Sequence, residues 1–125
     1  MEDLERDSGL DGRKRRTART RANLLDGCRG LMVRGTIRPD SETIAQTARC
    51  SIRSVFHHFP TLAVLYAEAV DDIGTAGAVL NHVLGEDWRV AGVPEHLVKR
   101  MARAVVMGDG RRYSEIYRAA VQAGR

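Results

Sequence analysis

Apolar residues in this chain recur at three- and four-residue steps along most of its length, and nowhere do they alternate with polar ones as a half-buried strand requires. That single property restricts the fold to packed helices. From Thr17 to Arg34, Leu24, Leu25, Cys28, Leu31 and Met32 line one face of a helix that Gly35 ends. Pro39 disfavours helix at Arg38, and Ser41 is expected to cap a short helix with Ile44, Ala45 and Ala48 inward. Ser51 caps the next, Ile52 to Phe59, with Val55 and Phe59 on its buried side and Pro60 closing it. Thr61 then caps a longer helix carrying Leu62, Leu65, Tyr66, Ala69, Val70 and Ile73, weakened by Gly74 and Gly77 and ending near Leu84. "GEDWRVAG" reads as a loop. Pro94 suits the first turn of a helix with Leu97, Val98, Met101 and Val105 inward, and "GDG" at 108–110 interrupts it. A last helix presents Tyr113, Ile116, Tyr117, Ala120 and Val121. The expectation is an all-α fold of about six helices: a three-helix helix-turn-helix unit, then a short helical C-terminal region.

Charge divides the chain in the same places. Residues 1–12 carry five acids and one Arg and read as a disordered acidic tail. Residues 13–59 carry eleven Lys or Arg against Asp26, Asp40 and Glu42, whereas residues 60–125 balance eight against eight. The domain reading follows: tail 1–12, basic arm and helix-turn-helix 13–60, and a regulatory or dimerisation region 61–125. A basic segment so concentrated points to a polyanion, because phosphate neutralisation drives non-specific affinity. No run of about 18 apolar residues offers a membrane span, and the N-terminus lacks the apolar core of a secretory signal. Cys28 and Cys50 lie in apolar helical patterns and read as small buried hydrophobes in a reducing, cytoplasmic compartment.

The stretch "CSIRSVFHHFP", residues 50–60, raises the functional question. Zinc is disfavoured, since adjacent His57 and His58 point about 100° apart on a helix and no further pair has ligand spacing. No Ser, Cys or carboxylate near them forms a triad, so neither catalysis nor a cofactor is expected. DNA reading fits better. A recognition helix buries one face to be held rigidly and offers its N-terminal and outward residues to base edges and phosphates. Here Val55 and Phe59 anchor, and Ile52, Arg53, Phe56 and His57 face out. Arg53 in the first turn suits the guanine edge, and Ile52 a thymine methyl.

"SETIAQTARCSIRSVFHHFPTLAVLYAEAV" resembles the DNA-binding domain of the TetR family of bacterial transcriptional regulators, through Ser41, Ile44-Ala45, Ala48, Ser51, Ser54-Val55-Phe56 and His58-Phe59. The likeness covers about residues 17 to 70. It implies phosphate contacts from Ser41, Ser51, Phe56 and His58, base contacts from Ile52, Arg53 and His57, and a mixed role for Ser54. Three positions depart from the family pattern: Arg49 replaces a Gly, Phe56 a commoner Tyr, and Leu62 a frequent Lys. The first implies a left-handed non-Gly residue in the turn; the others imply weaker phosphate gripping. The arm with Arg13, Lys14, Arg15 and Arg16 is expected to compensate as a flexible minor-groove arm, Arg15 and Arg16 making contacts. The resemblance further implies a repressor that binds a double-stranded DNA operator as a homodimer and is released by a small-molecule effector. Candidate pocket residues are Trp88, Met101, Tyr113 and Tyr117, with Leu80, Leu84 and Val105 beside them; Trp88 alternatively anchors its loop to the core. After the fourth family helix only about two more remain, fewer than the family norm. Two other readings stay open: a nucleic-acid module without effector control, and a protein-interaction domain whose basic helices meet an acidic partner.

Overall fold

The computed structural model describes residues 2–123, with side-chain surroundings for residues 11–122. Among these residues there are seven helices and no strand: α1 (Glu2–Val33), α2 (Ser41–Ala48), α3 (Ile52–His58), α4 (Leu62–Ala69), α5 (Ile73–Leu84), α6 (Glu95–Val106) and α7 (Gly110–Ala123). The all-α expectation holds. One continuous core joins Leu24, Cys28 and Met32 of α1 to Ile44, Val55, Phe59, Leu65 and Tyr66, and continues through Val79, Leu80, Val98 and Met101 to Ile116 and Ala120. Burial pushes the Cys28 thiol up to about 12, Arg29 opposing it only in part, so this cysteine serves as core.

Several boundaries differ from those read in the sequence. Helix α1 starts far upstream of Thr17; the acidic-tail reading falls mainly on residues 1–10, whose side chains lie outside the described ones. Its end is as expected, with Gly35 at φ 106° and the Thr36 N–H donating to Leu31 O at 2.9 Å. The N-cap of α2 is Asp40, not Ser41: its carboxylate accepts the Thr43 N–H at 2.8 Å, leaving Ser41 as the first helical residue. Pro94 likewise stands one position earlier than expected, in the extended cap conformation before α6.

The largest correction concerns the long helix expected from Thr61 to near Leu84. It is two helices, broken at residues 70–72. Asp72 is extended, and its carboxylate accepts the Thr75 N–H at 2.9 Å and the Thr75 hydroxyl at 2.8 Å, starting α5 afresh. The freed carbonyls of α4 are covered from α1: the Arg29 guanidinium donates to Ala69 O at 3.0 Å and Glu68 O at 3.1 Å. With both ends satisfied, the break costs little in backbone hydrogen bonding. The new direction of α5 leaves Ile73 exposed instead of inward. Val105, also expected inward, is only half-buried, and Val106 takes the core position.

Candidate nucleic-acid interface

Two short helices cannot hold themselves, so their ends decide the geometry. Helix α2 stops where Arg49 adopts φ 58°, ψ 46°, the left-handed conformation implied by its replacing a glycine. In that turn the Arg49 N–H donates to Gln46 O at 3.2 Å and the Cys50 N–H to Ala45 O at 2.9 Å. The reversal brings Ser51 into the cap of α3, its hydroxyl accepting the Ser54 N–H at 3.0 Å. Val55 and Phe59 are fully buried, as the sequence reading required.

The opposite face of α3 is open. Ile52 is 45% exposed and Phe56 41%, beside exposed Arg53 and His57. Ser51 is exposed, while Ser41, Ser54 and His58 are half-buried at the edges of this face. Two large apolar side chains in water beside a guanidinium and an imidazole, with no acid among the residues of α3, form a surface suited to a partner with both apolar and anionic features. His58 meets His57 edge-on, ring centroids 5.1 Å apart. Burial, then the nearby His57 and Arg21 charges, push His58 below the ordinary imidazole value, which favours its neutral form.

A brace supports α3 from behind. Arg21 of α1 lies over the Phe59 ring, 4.7 Å from its centroid, and pairs with Glu68 of α4 at 2.6 Å. The Glu68 hydrogen bond raises Arg21 above its ordinary value. Tyr66 of α4 is buried and its hydroxyl donates to Pro39 O, tying α4 to the connector before α2. Sequence reasoning placed Tyr66 on the inner face but missed both polar ties. Their partners lie 27 and 47 residues away, beyond any local periodicity. Leu62, in place of a backbone-gripping Lys, packs against the core.

Arg13, Lys14, Arg15 and Arg16 are exposed, but they belong to α1 and are helical, which corrects the flexible arm expected here. A helix is wider than the roughly 6 Å minor groove, so as folded these cations suit phosphates along a strand.

The four pocket candidates do not converge. Met101 is fully buried, and Trp88 is nearly so, its backbone N–H donating to Asn81 Oδ1 at 2.7 Å as the loop's anchor. Tyr113 is half-buried, and Tyr117 opens to solvent while stacking on it with centroids 6.1 Å apart. Leu80 is sealed in the core. No group of three or more His, Cys, Asp or Glu among the described residues is placed to hold a metal ion, and none of the described helices is long and apolar enough to cross a membrane.

The chain matches no family profile, no curated protein and no solved structure.

Proposed function

We propose that this protein is a sequence-specific regulator that reads double-stranded DNA through α3, acting in the cytoplasm as a homodimer in the manner of TetR-type repressors and released by a small-molecule effector. The observation that carries the reading is the two-sidedness of α3. Val55 and Phe59 are buried to completion, and Ile52, Arg53, Phe56 and His57 stand outward, without an acid among them. The basic run on α1 adds sequence-independent attraction, and Ser41, Ser51 and Ser54 border the same face. A single unit makes few base contacts, so two copies spanning two half-sites about one helical turn apart would supply specificity.

Selection of bound sites from a random duplex pool tests this directly, with an inverted repeat expected. Arg53→Ala should relax sequence preference at one position per half-site, whereas Arg15→Ala should weaken binding to all sequences alike. Identical effects from both would refute the role of α3. The exposure of Ile52 and Phe56 together favours a second reading, a protein-docking helix. Affinity falling with a log–log salt slope of about −0.9 per phosphate contacted supports DNA; a shallow slope with an acidic protein partner supports docking.

A further inference from the structure

A groove runs between α4 and α6 and continues toward α7. Its widest part, about 520 Å³, has a floor of Ala63, Val64, Ala67 and Met107. Arg103 lines this part and the two adjoining stretches, and Arg100 lines both of the latter. The walls stand apart because α4 offers alanines where larger side chains would fill the gap. Val64 is left 47% exposed.

The charges are unevenly satisfied. Each carboxylate on the rim already has a partner: Glu68 is held from outside the groove by Arg21 at 2.6 Å, while Asp71 pairs with Lys99 at 3.4 Å and Asp109 accepts the Arg112 N–H at 3.0 Å within it. Among the described residues neither Arg100 nor Arg103 has an ion-pair partner. Separated by three positions on α6, the two guanidinium groups are neighbours on one face. From Ala63 to Glu68 the α4 side of the groove extends about 7.5 Å at 1.5 Å per residue.

We infer that this groove binds a small amphipathic anion, its carboxylate or phosphate head on Arg100 and Arg103 and its alkyl body along Ala63, Val64, Ala67 and Met107. Guanidinium forks recognise such heads bidentately, and the volume is in the range of small-ligand sites. This inference concerns a surface other than the α3 reading face and does not rest on DNA binding.

The test is titration of the full chain with octanoate, octyl phosphate, octanol and octylamine, followed by calorimetry and by methyl NMR of Val64 and Met107. Both anions should bind saturably and shift those methyls, and their relative affinity distinguishes a carboxylate from a phosphate source. Octanol and octylamine should bind at least about tenfold more weakly. Arg100→Gln with Arg103→Gln, both at exposed positions, should reduce anion affinity by about tenfold or more, while Arg118→Gln on α7 should leave it unchanged. The inference fails if neither anion binds saturably, if octanol or octylamine binds as well as octanoate, or if the double variant, folded by circular dichroism, binds unchanged. It also fails if shifts appear only outside Val64 and Met107.

Discussion

Two glycines of α5 should respond in opposite directions to the same substitution. In an isolated helix Gly→Ala gains about 1 kcal/mol, because alanine loses less backbone freedom on ordering. At Gly74 the added methyl would meet nothing closer than Asp72 Oδ2 at 3.5 Å, an ordinary contact, and the position is exposed. Gly74→Ala should therefore stabilise, by some tenths to about 1 kcal/mol given its place in the first turn. At Gly77 the methyl would lie 2.7 Å from Trp88 Nε1 and 3.3 Å from its Cδ1. The indole cannot swing away cheaply: it is 7% exposed, its backbone N–H is held by Asn81, and Arg89 lies 4.5 Å over its ring. Overpacking of this kind costs about 1–3 kcal/mol, so after the helix gain Gly77→Ala should lose about 1 kcal/mol and up to about 2. For a domain of this size that is a melting shift of roughly 3–6 °C per kcal/mol. Urea unfolding followed by fluorescence reports on the site itself, since Trp88 is the sole tryptophan in the sequence. A native emission maximum shifted to the red should accompany the lower midpoint. Gly77→Ala at or above the wild-type midpoint, with unchanged emission, would show that the loop is not clamped to α5.

Tyr66→Phe removes the donor to the Pro39 carbonyl and leaves that buried acceptor bare, for an expected loss of about 1–2 kcal/mol in thermal or urea unfolding. Arg49→Gly should stabilise by about 0.5–1 kcal/mol, because glycine adopts the left-handed turn without the penalty of a Cβ; a destabilised variant would mean that the Arg49 side chain contributes more than its conformation costs. Acid should weaken the protein through its helix caps. The Thr75 N–H bond, then the Thr75 hydroxyl, hold Asp72 below its ordinary value near 3.8, so its stabilisation is complete above that value and is lost as pH falls through the lower folded value. Asp40 is shifted the same way by its bond from Thr43. Midpoints measured from pH 5 to pH 2 should fall for wild type and fall less steeply for Asp72→Asn, in which Asp40 still titrates.

What the chain's periodicity decided by itself is the helical class, most helix locations and the faces they bury. Val55 and Phe59 are inward because spacing on a helix and hydrophobicity are both local properties, legible in the eight residues from Ile52 to Phe59. The caps at Ser51 and Thr61 follow from the same short-range chemistry, whereas the left-handed Arg49 was implied by the resemblance, in which a Gly holds that position. The break between α4 and α5 was decided elsewhere. Apolar spacing runs unbroken through Val70 and Ile73, and only the arrival of Arg29 from α1 makes ending at Ala69 inexpensive. A close sequence cue existed in Asp72 followed by Thr75, but continuous periodicity outweighed it. The α3 brace and the open groove beside α6 are likewise tertiary. Each depends on side chains brought together across tens of residues, where pairing is set by the packing of whole helices and not by the spacing within one.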